Sequence, residues 1–194
     1  MSALIVVAHP EPDSLTSQAA RRLRDLVGPD AVLASLAEEG FDPRFTVGDR
    51  TDYLGRTRTN PDVLAEQRRI DAADHLVLVF PVYWWSMPGL LKGWIDRVFI
   101  SGWAFDFDDE GRITRRLGGL TVHLLTVTGD DEESYERHGY AQSFSTQIEH
   151  GIIDYCGAKR GVTAFVWDSE SGETERVARE VEDAAVRIAA AITA

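Results

Sequence analysis

Short apolar, β-branched runs punctuate the chain: Ala3 to Ala8 (ALIVVA), His75 to Phe80 (HLVLVF), Leu120 to Thr126 (LTVHLLT) and Val162 to Trp167 (VTAFVW), with a weaker fifth from Ala31 to Ser35. Runs of this length with little polar alternation predict strands covered on both faces, the habit of parallel sheets. Between them the apolar spacing turns helical. Leu15, Ala19, Leu23 and Val27 fall four apart behind Asp13 or Ser14 as a cap. Asn60-Pro61-Asp62 opens a second helix with a capping side chain, a first-turn proline and an acid at the positive dipole end, and Val63, Ile70 and Ala73 face inward. Val177, Val181, Ala184, Ile188 and Ile192 mark one face of a final helix.

Strands alternating with helices imply right-handed crossovers. The expected architecture is a single domain over residues 1–194: a doubly wound five-stranded parallel sheet with helices on both faces, in flavodoxin-like order. Phe41 to Asn60 reads as a long irregular connection, the kind that is usually functional. Ligands of such sheets lie beyond the carboxyl ends of the strands, near the switch in strand order. Three loops therefore matter in advance: His9 to Asp13, Pro81 to Pro88, and Val127 to Gly139.

The composition is ordinary for a folded protein, 44% hydrophobic and 27% charged, and 194 residues suffice for one core. Twenty Lys and Arg against 32 Asp and Glu leave a formal charge of -12. That field excludes generic nucleic-acid or anionic-lipid binding, so a phosphate-bearing ligand would need backbone N–H groups, a helix N-terminus or a few placed cations. Cys156 is the single cysteine, so neither an internal disulfide nor a multi-cysteine metal cluster is expected. The apolar run near Met1 is too short for a signal peptide core, and Arg and Asp interrupt every apolar stretch before membrane-spanning length. A cytoplasmic protein without stable membrane insertion is expected.

The first loop lacks both the G-x-G-x-x-G fingerprint and the phosphate loop. It reads His9-Pro10-Glu11-Pro12-Asp13-Ser14-Leu15-Thr16. Its hydroxyls and first-turn N–H groups suit a phosphate, with His9 as a further donor; it reads equally as a proline-stiffened turn with a serine cap. The second loop places Tyr83, Trp84 and Trp85 between two prolines, where a polar loop is the norm. Aromatic faces there suit a planar heteroaromatic ring, or else a buried apolar knot or dimer contact. The helix that follows, Leu90 to Phe99, is apolar on more than one face, as if covered by a second subunit as well as by the sheet. The third loop carries Tyr135 and His138, able to hold or redistribute protons, within an acidic stretch that also reads as a solvated surface.

His9-Pro10, the block F-P-V-Y-W-W-S-M-P-G-L-L-K-G-W-I-D-R-V-F from Phe80 to Phe99, and Gly151-Ile152-Ile153-Asp154-Tyr155-Cys156-Gly157 together resemble the flavodoxin-like NAD(P)H:quinone oxidoreductases. That is the family of DT-diaphorase, the modulator of drug activity B proteins and the quinone reductase subunit of potassium-efflux systems. The resemblance implies FAD, with FMN as the alternative, in a homodimer whose active sites lie at the interface and which uses NAD(P)H to reduce quinone-like acceptors by two-electron transfer. By the family pattern His9, Ser14, Leu15 and Thr16 hold the flavin phosphates. Pro81, Val82, Tyr83, Trp84 and Trp85 line the ring, Thr128 and Gly129 approach its other edge, and Arg176 stands near the adenine half. Tyr135 and His138 take the catalytic proton roles, and Phe105 and Phe107, with Trp85, contact the substrate.

Some positions depart from the pattern. Val127-Thr128 and Gly129-Asp130 stand where fuller members pair threonines and glycines, Tyr135 and His138 are closer together than in DT-diaphorase, and Phe105 and Phe107 lack hydroxyls. The other readings are a regulatory flavoprotein that docks on a cation-efflux transporter, a one-electron carrier, and an azo or nitro reductase.

Overall fold

The computed structural model describes all residues from Met1 to Ala194. The apolar runs form β1 (Ala3–Val7), β2 (Ala31–Ser35), β3 (His75–Pro81), β6 (Thr121–Val127) and β7 (Lys159–Val166), all parallel, in the order β2-β1-β3-β6-β7. Helices cover both faces. α1 (Leu15–Val27) and α7 (Thr174–Thr193) pack Leu23, Val181, Ala185 and Ile188 onto Ile5, Val77 and Leu125. On the opposite face α3 (Pro61–Asp71) and α4 (Gly89–Val98) bury Ile70, Leu91 and Trp94 against Leu4, Leu76 and Leu124. Ser14 caps α1 and Asn60 caps α3, with Pro61 in its first turn.

Beside the main sheet is a small antiparallel pair, β4 (Phe105–Phe107) and β5 (Ile113–Arg115). The connection from Phe41 to Asn60 is not irregular throughout. It holds α2 (Val47–Gly55), whose capping box joins Thr46 to Asp49, while Asp52 accepts hydrogen bonds from the N–H groups of Thr59 and Asn60 and the hydroxyls of Thr57 and Thr59. This excursion supplies the second cover over α4. Pro43 lies so close to Gly93 that a Cβ there would stand 2.1 Å from the Pro43 carbonyl oxygen. Arg97, buried, donates to Asp49 and to the Asp42 carbonyl and stacks over Phe41 at 5.2 Å.

The expected third loop is also partly helical, with α5 (Glu132–His138) capped by Asp131 and α6 (Tyr140–Phe144) following Gly139. Then comes a ten-residue π-helix, Ser145–Asp154. At the amino-terminal end of the strands, His123 occupies a bulge between β6 and β7 and accepts the Val162 N–H at 2.9 Å. Only glycine fits opposite, since a Cβ on Gly161 would lie 2.4 Å from the His123 Nδ1. No helix is long and apolar enough to cross a membrane.

Candidate active site

β1 and β3 are neighbours from which the chain winds in opposite directions, to β2 on one side and to β6 and β7 on the other. The gap beyond their carboxyl ends is where an open parallel sheet receives ligands. The loops after β1, β3 and β6 all open there.

After β1, the first turn of α1 presents free N–H groups and hydroxyls, with Glu11 and Asp13 just ahead of its cap. Ser14 accepts the Ser17 N–H at 3.2 Å and donates to the Ser17 hydroxyl, which in turn donates to the Glu11 carbonyl. The N–H groups of Leu15 and Thr16, at the first turn, have no acceptor within the helix, and the positive dipole end adds to their pull. No carboxylate lies in that turn, notable in a chain of charge -12. His9 Nδ1 accepts the Glu11 N–H at 3.0 Å, which places the ring proton on Nε2 and leaves it free to donate.

After β3, Trp84 (φ 50°) and Trp85 (φ 57°) are both left-handed, a conformation that costs about 1–2 kcal/mol for each non-glycine residue. Tyr83 and Ser86 close the turn with two backbone hydrogen bonds of 3.0 and 3.1 Å. The result is a tight hairpin that pushes Trp84 into solvent at 87% exposure, against the habit of so large an apolar ring. Tyr83 is also exposed, whereas Pro81 is buried at the end of β3 and Val82 N–H bonds to Val127 at 2.8 Å.

After β6, Thr128 and Tyr135 are buried with their hydroxyls 3.3 Å apart. Burial pushes the Tyr135 phenol above its ordinary value; the Thr128 hydrogen bond opposes that and the Asp130 charge adds to it. The phenol is therefore neutral at physiological pH. Backbone hydrogen bonds from Thr128 to Val166, Ser169 to Thr128 and Asp168 to Asp130 tie this loop to the one after β7.

His9, Ser14, Leu15 and Thr16 lie outside the cavity of about 240 Å³ that the loops after β3 and β6 line with Val82, Trp84, Trp85, Thr128, Gly129, Asp130 and Tyr135. The sequence singled out all of these as site residues except Asp130, which accepts the Ser134 hydroxyl. It also missed Tyr140, stacked on Trp85 at 4.2 Å and 26°, because nothing in the local sequence signals a contact between these two loops. His138 stacks on Tyr140 at 5.3 Å and does not line the cavity. Phe105 and Phe107 lie in edge contact outside it. Phe105 belongs instead to a second cavity of about 560 Å³, shared with Phe45, Tyr53, Phe99 and Tyr155. Arg176 sits in the first turn of α7 and donates back to Glu173, Ser171 and the carbonyls of Trp167 and Asp168 in the loop after β7, and forward to Glu180.

The parallel sheet, with a helix start after β1 and an aromatic slot at the carboxyl ends of its strands, defines a doubly wound α/β protein of flavodoxin-like order. The profile of the flavodoxin-like fold matches residues 1–191. Ribosyldihydronicotinamide dehydrogenase (quinone) of Rattus norvegicus is 32% identical over 181 residues, covering 80% of this chain and 77% of that protein. NAD(P)H dehydrogenase (quinone) 1 of Cavia porcellus is 28% identical over 180 residues, covering 80% of this chain and 64% of that one. Among solved structures, the NAD(P)H:quinone oxidoreductase from Methanothermobacter marburgensis shares the fold with a TM-score of 0.87 at 22% identity over 96% of both chains. The chain belongs to the flavodoxin-like fold family, in the group that includes the rat quinone dehydrogenase.

Proposed function

We propose that this protein is a flavin-dependent NAD(P)H:quinone oxidoreductase. The observation that carries the reading is the convergence of a carboxylate-free helix start, a left-handed Trp84–Trp85 turn and a buried Thr128–Tyr135 pair on one end of the sheet. A flavin nucleotide suits that combination: anion donors at one end and flat apolar walls with a neutral hydrogen-bond donor at the other. His9, Ser14, Leu15 and Thr16 would hold its phosphate, Pro81, Val82, Tyr83, Trp84 and Trp85 one side of its ring, and Thr128 and Gly129 the other.

A flavin held there would supply two-electron, hydride-equivalent chemistry between a reduced nicotinamide and the acceptor. The chain's own part is orientation, exclusion of water and proton management. Tyr135 holds a proton at its phenol oxygen beside Thr128 and offers it as a hydrogen bond where charge develops. His138 is an outer imidazole whose influence passes through Tyr140. Gly129, without a side chain, leaves room for a ring to approach the backbone.

Phe105 and Phe107 stand apart from the slot of their own chain, which supports a homodimer in which each copy caps the slot of the other. The exposed side chains of Phe45, Val47, Leu54 and Tyr155 on the face carrying the second cavity support the same reading. FAD is the finer choice, FMN the alternative. Arg176 and Arg179, with Glu173, Thr174 and Glu175, line an open cleft of about 580 Å³ with room for a second nucleotide half. Since the Arg176 nitrogens are already engaged, its flat guanidinium face would do the recognition. The test is to identify the nucleotide released on denaturation, then to assay anaerobically with NADH and NADPH against quinones. Parallel initial-rate lines are expected because donor and acceptor share one slot; protein that stays colourless when flavin is supplied overturns the reading.

A further inference from the structure

We propose that Tyr140 is a positioning residue: its stack on Trp85 holds the left-handed Trp84–Trp85 turn in the shape that receives the flavin ring. The inference rests on the placement of that ring against this turn. Two consecutive tryptophans at positive φ occupy a conformation that glycine and asparagine favour, so the four-residue sequence Tyr83-Trp84-Trp85-Ser86 does not select it by itself. The two Tyr83–Ser86 backbone hydrogen bonds close the turn, and the flanking anchors fix its ends, but none of these reaches the two tryptophan side chains. Val82 is bonded to Val127 on one side, and Met87 and Pro88 are buried on the other.

On the strained residues themselves the hold is lateral. Trp84 meets only the edge of Trp85, at 5.7 Å and 67°. Tyr140 is the aromatic ring from outside the turn that stacks on it. Tyr140 is held in its turn: His138 stacks beside it, Tyr135 meets it edge-on at 5.8 Å, and Gly139 at φ 73° provides the sharp reversal that starts α6. The π-helix adds a second grip where Ser86 donates to Gln147 at 3.3 Å. A wall so held is formed before the ligand arrives, and binding does not have to order it.

The ring does this work, not the hydroxyl, so Tyr140→Phe and Tyr140→Leu separate the two. The measurement is the flavin released on serial dilution of the holoprotein, read as recovered free-flavin fluorescence, with near-UV circular dichroism and thermal midpoint on the same samples. Tyr140→Leu is expected to raise the flavin dissociation constant roughly tenfold, the worth of one aromatic stack, and to change the tryptophan dichroism with little change in midpoint. Tyr140→Phe should restore the wild-type affinity. Unchanged affinity in Tyr140→Leu, or equal loss in Tyr140→Phe, overturns the inference. Trp84→Ala tells the two levels apart. If it weakens binding while Tyr140→Leu does not, only the role of Tyr140 falls; if it leaves binding intact, the ring does not lie at this turn and both fall.

Discussion

Arg97 Nε donates to Asp49 at 3.1 Å, with the two side chains 4% and 1% exposed. This pair fastens the excursion carrying α2 onto α4, and so sets one wall of the cavity that holds Phe105 and Tyr155. Burial alone would push the Asp49 carboxyl up, but the Thr46 hydroxyl and N–H and then Arg97 outweigh it, and the carboxyl lies below its ordinary range. Its contribution is therefore present at neutral pH and lost as pH falls through the lowered value. Arg97→Met should cost about 3–5 kcal/mol in urea unfolding at neutral pH, because it strands a buried charge. A cost below about 1 kcal/mol would mean that the excursion is held by packing alone.

The paired histidines predict acid sensitivity remote from the slot. His123 Nδ1 accepts from Val162, so its proton is on Nε2 and donates to His75 Nδ1 at 3.0 Å. Burial, and then the neighbouring His75, lower His123 to about 4, and His75 is lowered as well, chiefly by burial. A depressed histidine makes the unfolded chain the better proton acceptor. Stability is thus full above the unfolded value near 6.5 and falls as pH drops toward 4, by on the order of 3 kcal/mol from His123. Urea midpoints between pH 7 and pH 4 should show this slope, and His123→Gln should flatten it.

Tyr135→Phe should keep the flavin and lower turnover by on the order of a hundredfold, the usual worth of a placed proton donor. Since the phenol is raised above 10, the rate should show no titration from it between pH 6 and pH 9. Stopped-flow reduction by NADH or NADPH, followed at the flavin absorbance, separates this from loss of cofactor.

Thr16→Val removes a hydroxyl at the start of α1 while preserving shape. FMN should bind roughly tenfold more weakly and riboflavin unchanged, as expected when one hydrogen bond to a charged group is lost. Equal weakening of both would move the phosphate away from this helix.

Much of this is legible in the amino-acid sequence. The strands show as apolar runs because both sheet faces are covered, and Ser14 and Asn60 announce their helices through capping chemistry. The slot showed through its oddity, three aromatics where a loop should be polar. By contrast α2 is inverted: it exposes Val47 and Leu54 and buries Asp49 and Asp52, so no periodicity rule finds it. β4 and β5 have three residues each, too few to carry a pattern. The bulge at His123 and the stack of Tyr140 on Trp85 join residues far apart in the chain, and only folding reveals them.

The wide helix from Ser145 to Asp154 has Gln147 near one end, against the tryptophan turn, and hands the chain directly to Tyr155 at the mouth of the other cavity. Its winding therefore sets the angular phase between the two pockets. Deleting one residue and letting the segment rewind to ordinary α pitch would swing Tyr155 around the axis while Gln147 stayed put, so insertions and deletions between Gln147 and Gly151 would retune the spacing of the two pockets and carry the Gly151 and Ile152 wall of the second with them.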